Sequence, residues 1–309
     1  MIYKKALVTG GAGFIGGHLA HKLVKAGKEV KVLDNLSVGK KENVPSDAEL
    51  IIGDIRDSGI VAKAVKGVDL VFHLAAKVSI RAAVEHFVED AEVNTMGTLI
   101  VLRASHDAGV RKFIYASSMA VYGNPHYSPQ DEKHPINPTS PYGVSKFASE
   151  NYIASLAPLW GMEYMNLRLF NTYGTRQTPS PYVGVITIFI RNIIQGKPIQ
   201  IFGDGKQRRD FIHVSDIVHA FELAAERDVT GFNLNVGTGT PTDINTLAEL
   251  IIKRIGKKTV VEHTPPVPGE PGDSIANTKL AETILGFKAT ARLEDNINEV
   301  IEWNKVGMG

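Results

Sequence analysis

The chain has 309 residues, 43% of them hydrophobic, enough to bury a sizeable core in one large or two modest domains. Its 34 Lys and Arg nearly balance 33 Asp and Glu, which excludes the basic stripe of a nucleic-acid binder and the acidic tail of a histone partner. With no cysteine, it can form no disulfide, thiolate nucleophile or cysteine-ligated metal site, and its composition fits a reducing compartment.

The N-terminus opens directly into a strand pattern, Lys5 to Thr9, with no signal-peptide layout, so a cytoplasmic protein is expected. A helix is predicted from about Phe14 to Ala26, ended by Gly27, and Glu29 to Asp34 reads as the next strand. Leu50 to Asp54 is a third strand, Asp57 to Val65 a helix and Leu70 to Ala75 a fourth strand. Helical periodicity runs from Asp90 to Ala108, followed by a strand at Lys112 to Ser117. Pro141 to Leu156 is a helix with proline in its first turn, where the missing N–H is harmless, and Met165 to Phe170 is a sixth strand. Alternating short apolar runs and helices signal a largely parallel sheet covered on both faces, a Rossmann-like doubly wound α/β fold.

Beyond Asn171 the pattern loosens. Residues 175–207 contain turns and one helix, and residues 240–309 contain two helices separated by a Pro/Gly-rich segment, Thr264 to Gly272. A smaller, mixed α/β C-terminal domain is expected from 175–207 and 239–309. The nucleotide domain then comprises 1–174, with 208–238 returning to it. The apolar run Tyr182 to Ile194 is broken by Arg191 and Asn192 and is too short to span a bilayer.

Gly10, Gly13 and Gly16 follow the first strand as G-x-x-G-x-x-G. Glycines there permit a tight turn, close approach of the backbone to a pyrophosphate and close packing of helix on strand. The helix N-terminus then offers free N–H groups to phosphate. A flexible surface turn is the alternative, but the strand before and the apolar helix after favour a dinucleotide site. Asp34 ends the second strand, where a carboxylate accepts hydrogen bonds from the adenosine ribose hydroxyls and repels a 2′-phosphate, favouring NAD over NADP. Lys40 and Lys41 either weaken that preference or are solvated loop lysines. Asp54 is placed to reach the adenine amine or, equally, to cap a turn.

Tyr142 and Lys146 stand four apart on one helix face, and Ser117 and Ser118 end the fifth strand, beyond which ligands bind in open parallel sheets. An ammonium near a phenol favours the phenolate. Such a pair takes a proton from an alcohol while NAD takes the hydride, with a serine hydroxyl holding the same oxygen. Tyr-x-x-x-Lys pairs also arise by chance on many helices; the neighbouring NAD site and serine pair make catalysis the leading reading.

The sequence resembles the extended short-chain dehydrogenase/reductases, and within them the nucleotide-sugar 4-epimerases of the UDP-glucose 4-epimerase type. The matching stretches are Thr9 to Gly16, Asp34 to Gly39, His73 to Ala76, Ser117 to Gly123, Tyr142 to Lys146, Arg168 to Gly174 and Arg209 to Asp216, in order over nearly the whole chain. The resemblance implies that Tyr142 is the acid/base, that Lys146 holds the nicotinamide ribose and tunes Tyr142, and that Ser118 binds the sugar O4. It places Asn35 and Ser37 at the adenosine ribose and phosphate, Lys77 near the pyrophosphate and Asn94 behind the cofactor pocket. Phe14, Ile15, Gly39, Ile55, Leu74, Ala75, Ala76 and Ser117 complete the cofactor set it implies. The implied substrate set comprises Lys77, Ser118, Tyr142, Asn171, Val185, Arg208 and Ser274, with Asn171 and Arg208 at the diphosphate. His73 and His213 are read as structural, and no ligand cluster suggests a metal.

Met119-Ala120 stands where related 4,6-dehydratases carry Asp-Glu, which disfavours dehydration. Loss of the tyrosine or lysine would mark an NAD(H)-sensing binding protein, and both are present. A net oxidoreductase is the other enzyme alternative. Val267 replaces the arginine common before Pro-Gly-Glu in the family, and Gly272 stands where many relatives carry a basic residue; Arg176, Lys206 or Arg208 are candidates to compensate. Ser274 falls where a bulky aromatic confines relatives to unsubstituted hexoses, so N-acetylhexosamines are expected to fit; alternatively it caps a turn after Gly272-Asp273. The resemblance also implies a homodimer through a four-helix bundle built from the helices around 90–108 and 141–156.

Overall fold

The computed structural model describes residues 3–178, 184–265 and 272–306; Tyr182, Val267 and Pro268-Gly269-Glu270 lie outside the described residues. The first half alternates strand and helix: β1 (Lys5–Thr9), α1 (Phe14–Lys25), β2 (Glu29–Asp34), β3 (Glu49–Ile52), α2 (Ser58–Val65), β4 (Leu70–His73), α3 (Ile80–Glu85), α4 (Phe87–Ala91), α5 (Thr98–Asp107), β5 (Lys112–Ser118), α6 (Pro141–Leu159) and β6 (Glu163–Leu169). There follow β7 (Asn171–Tyr173), α7 (Val185–Ile194), β8 (Ile199–Phe202), β9 (Arg208–His213), α8 (Val214–Glu226), β10 (Phe232–Val236), β11 (Pro241–Asp243), α9 (Ile244–Ile255), β12 (Val261–Thr264), α10 (Lys279–Leu285) and α11 (Leu293–Val306).

Seven strands form one sheet in the order β10-β6-β5-β4-β1-β2-β3, and every pair is parallel. The period-2 alternation of a strand divides the core: Ala6 and Val8 of β1 face α1 and α8, whereas Leu7 faces α2, α5 and α6. Both faces are therefore apolar, and β1 has no polar stripe. Chain order reverses between β1 and β4, the switch point at which open α/β sheets bind ligands beyond their strand ends. Thr9 of β1 stands in register with His73 of β4, and Ser118 of β5 with Leu169 of β6.

A smaller mixed unit carries its own core. Phe189 and Ile193 of α7, Leu247 and Ile251 of α9, and Ile297 and Ile301 of α11 pack with Ile199 and Ile201 of β8. Asp243 caps α9 through Thr246 N, and Gly256, left-handed at φ 72°, ends it. No helix among the described residues is long and apolar enough to cross a membrane.

The elements depart from the sequence reading in instructive places. The periodicity over 90–108 is one run in sequence, but a π turn at Glu92–Gly97 interrupts the helix between α4 and α5. The six-residue α3 is too short to show a period. β8 and β12, whose parallel pairing joins Ile199 to Val261, leave no local signal of a partner so distant in sequence. The C-terminal region holds α9, α10 and α11 rather than two helices.

Candidate active site

The glycine loop is built by close contacts. Gly10 sits at φ 69°, a left-handed conformation suited to glycine. A Cβ on Gly16 would lie 2.2 Å from the Gly10 carbonyl oxygen, so no side chain fits where α1 crosses the loop. Gly13 is the N-cap of α1, with no side-chain cap and no acidic residue in the first turn, leaving the helix N–H groups free to meet an anion. Phe14 and Ile15, half-buried, open that helix and pack against the first core.

Asp34 is mostly buried and holds the loop itself: Oδ2 accepts from Ala12 N at 2.9 Å and Oδ1 from Leu36 N at 2.8 Å. Gly39 lies against Ala12, where a Cβ would meet the Ala12 carbonyl carbon at 2.8 Å. Asn35 Nδ2 donates to Asp54 Oδ2 at 3.0 Å, and Ser37 N donates back to Asn35 Oδ1. Asp54 also accepts from the Arg56 guanidinium and backbone, which holds its carboxyl well below the usual carboxylate range. The turn-capping alternative for Asp54 thus corresponds to contacts in the structure. Ile55, buried, fills the space that Gly97 leaves without a Cβ.

A hydrogen-bond chain fixes the segment after β4. Thr98 donates to Asn94 O at 2.6 Å, so it accepts from His73 Nε2 at 2.9 Å. His73 Nδ1 is then the acceptor for Thr9 Oγ1 at 2.7 Å, and Thr9 accepts in turn from Leu74 N and Ala75 N. Burial drives the His73 pKa down to about 3, so this imidazole stays neutral and structural. Asn94 in the π turn clamps Lys77 at both backbone groups, Lys77 N to Oδ1 at 2.8 Å and Nδ2 to Lys77 O at 2.9 Å. Ala76 lies half-buried between these anchors. The Lys77 ammonium pairs with Glu89 at the surface.

At the end of β5 the two serines diverge. Ser117 is buried, and its hydroxyl donates to Glu150 Oε1 at 2.5 Å. Ser118 is half-exposed and accepts from Ala120 N at 3.2 Å. Ser140 caps α6 through Gly143 N, and Pro141 opens the helix, which sets Tyr142 and Lys146 on one face. Tyr142, 8% exposed, packs with Ala83, Ala120 and Ile80. Lys146, 2% exposed, donates to Ala116 O at 2.9 Å, with its Nζ 5.9 Å from the Tyr142 ring centre.

The electrostatics differ from the expectation that lysine lowers the tyrosine pKa. Burial pushes Tyr142 up to about 12, countered by the Ser118 hydroxyl and reinforced by Asp90. Burial pulls Lys146 down to about 8, with Asp90 and Glu150 opposing it. A phenolate at neutral pH therefore needs positive charge beyond that of the protein alone.

On the far side, Asn171 Nδ2 donates to Asp210 O at 3.2 Å. Arg208 is exposed and engaged by Asp273, which accepts from Nε at 3.0 Å and Nη2 at 2.5 Å. Val185, half-buried, opens α7 at the edge of the third core. Ser274 is fully buried, and its hydroxyl donates to Met119 Sδ at 3.2 Å, next to Ser118, rather than capping a turn. His213 caps α8 and meets Glu299 Oε1 at 2.7 Å.

Sequence reasoning missed several buried polar residues around this site. Arg168 makes a forked ion pair with Glu150 and donates to Tyr122 OH, which donates to Asn235 Oδ1. Asp210 of β9 accepts from Thr238, Gly239 and Ala276 and ties two loops to that strand. Asp90 lies buried beside Asn94. Glu150 falls four residues after Lys146 on the same helix face, a signal available in the spacing. Among the described residues no group of three or more His, Cys, Asp or Glu is placed to hold a metal.

The NAD dependent epimerase/dehydratase family matches residues 6–237. A Thermotoga maritima UDP-glucose 4-epimerase, solved with UDP-glucose, superposes with a TM-score of 0.95 at 36% identity, covering 99% of this chain and 100% of that one. A Methanobrevibacter ruminantium UDP-N-acetylglucosamine 4-epimerase, in complex with UDP-N-acetylmuramic acid, gives 0.94 at 35% identity over 100% of both chains. A Thermus thermophilus UDP-glucose 4-epimerase in complex with NAD gives 0.92 at 34% identity, covering 97% and 99%.

Proposed function

Starting from the fact that this chain belongs to the NAD dependent epimerase/dehydratase family, we propose that it is a UDP-sugar 4-epimerase working through a 4-keto intermediate. The observation that carries the reading is that Ser118, at the C-terminal end of β5, and Tyr142 and Lys146, on α6, accompany a glycine loop with free helix N–H groups at the C-terminal end of β1 in the same parallel sheet. The cradle around Gly10, Gly13 and Gly16, with Asp34 beyond it, suits NAD, the cofactor named for the Thermus relative. NAD held there would supply reversible hydride transfer at sugar C4. Tyr142 takes the O4 proton in the first half and gives it back in the second, and Ser118 holds O4 throughout. Lys146 supplies positive charge and donors towards the nicotinamide ribose. The keto sugar turns about its link to the diphosphate between the two halves. Asn171 and Arg208 are assigned to that diphosphate, and binding there requires Arg208 to exchange Asp273 for phosphate.

The substrate range follows from Ser274. Buried and turned onto Met119, it sets a small side chain beside the end of β5, at the position where the resemblance puts a bulky aromatic in relatives confined to plain hexoses. UDP-N-acetylglucosamine and UDP-N-acetylgalactosamine are therefore expected to interconvert at least as well as UDP-glucose and UDP-galactose. Side-by-side kcat/KM values test this. A hundredfold preference for the plain hexoses, about 3 kcal/mol of transition-state discrimination, contradicts it.

A homodimer belongs to the same proposal. Val84 of α3, Phe87 and Val88 of α4 and Met96 of the π turn are exposed apolar residues on elements that all pack on α6, which adds exposed Val144 and Tyr152. Sedimentation at micromolar protein is expected to give twice the chain mass; a monomer refutes the pairing.

A further inference from the structure

Lys146 is almost wholly buried, and among the described residues its ammonium donates to the Ala116 carbonyl. A buried ammonium keeps its proton when negative charge stands near it. Two buried carboxylates lie on α6 or on the helix packed against it, and they differ. Glu150 is committed: Oε1 accepts from Ser117 and Arg168, and Oε2 accepts from Arg168. Asp90 is 1% exposed, its Oδ1 accepts from Asn94 Nδ2 at 2.9 Å, and its Oδ2 is buried with no partner. Asp90 ends the helix that packs on α6, and Ser145, the neighbour of Lys146, approaches the same Asn94 amide at 3.3 Å.

We propose that Asp90 is a positioning residue for the acid/base pair, the buried counter-charge that keeps Lys146 protonated and opposes ionisation of Tyr142. The inference rests on the acid/base reading of Tyr142 given above. Such a charge suits a reaction in which one tyrosine must accept a proton and then return it, because a raised phenol pKa keeps the phenolate basic enough to take the O4 proton. The charged and titratable groups that act on Asp90 are Lys146 and Tyr142 on α6 and Lys77 from the segment after β4, and Glu150, one turn beyond Lys146, shares Lys146 with it. On its own helix Glu89 is held by Lys77, and Glu92 beyond it pairs with Arg56. Burial raises the Asp90 carboxyl above the usual range, and Ser145, Lys146 and Lys77 draw it back down.

Asp90→Asn removes the charge while preserving shape. The phenolate then forms more easily and the ammonium loses its proton more easily. Both limbs of the kcat/KM profile move to lower pH together, each by about one unit, and Asp90→Glu restores them. Loss of a merely structural contact lowers activity without moving the limbs. Limbs that stay in place, or that move in opposite directions, overturn the inference. Carbon-13 carboxyl NMR on the wild-type holoenzyme supplies a reading independent of whether the variant folds. Asp90 is expected to remain ionised from pH 6 to 9, and a neutral Asp90 in that range overturns the inference as well. An unmoved Asp90→Asn profile alongside an inactive Tyr142→Phe breaks this inference alone, whereas an active Tyr142→Phe breaks the reading beneath it.

Discussion

Tyr142→Phe is expected to lower kcat by roughly 10²–10⁴-fold, the range typical of a lost general acid/base, while the protein stays folded. The ring is held by Ala83, Ala120 and Ile80, contacts that phenylalanine keeps. Only the hydroxyl goes, and with it the group that exchanges a proton with the sugar O4. The Ser118 hydroxyl remains but has no base behind it: its contact in the protein is the Ala120 amide. Because burial, reinforced by Asp90, holds the phenol at about 12, wild-type turnover near neutral pH depends on charge from Lys146 and from oxidised cofactor. Steady-state kinetics with circular dichroism of the same preparation separates chemistry from folding. Near-wild-type turnover sinks the assignment.

The largest expected effect on stability is Glu150→Ala. Glu150 and Arg168 are 2% and 3% exposed and bond at 2.7 Å. Removing the carboxylate strands a buried guanidinium and leaves the Ser117 hydroxyl without its acceptor. Breaking such a pair typically costs about 3–5 kcal/mol, a large share of the 5–15 kcal/mol by which folded domains are stable. Strands β5, β6 and β10 meet α6 through this group, since Arg168 continues to Tyr122 and Asn235. The loss is therefore expected across the whole sheet edge rather than at one loop. Urea unfolding of the wild type and the variant measures it, and a change below about 1 kcal/mol contradicts the account. Replacing both partners, as in Glu150→Leu with Arg168→Met, is expected to recover much of the loss, because no charge is left stranded.

These two residues show how far the sequence could be read. Tyr142 announces itself through local spacing, four residues before Lys146 on a helix that opens with proline. The glycine loop is legible for the same reason, since strand, turn and helix are contiguous. The Glu150 network draws on residues 117, 122, 150, 168 and 235, brought together only by parallel strand pairing. No window of sequence displays that pairing, although Tyr122 and Arg168 lie inside recognisable stretches. The π turn is hidden for a different reason: its apolar periodicity runs on through a break that backbone hydrogen bonds alone define. Lys77 directly follows a recognisable stretch, but its partner Glu89 depends on the path of α3, an element too short to predict. Asp34 is placed correctly at the end of β2, and what the sequence could not show is that both its oxygens already hold the glycine loop and the following turn.

The central claim is that hydrogen leaves C4 as hydride to a cofactor retained through turnover and returns to the other face. Holoenzyme incubated with a UDP-sugar carrying deuterium at C4, in ordinary water and without added nucleotide, tests it most directly. The account predicts the C4 epimer with deuterium still at C4. Epimer that has exchanged its deuterium for solvent hydrogen, or an accumulating keto sugar with no epimer, contradicts it.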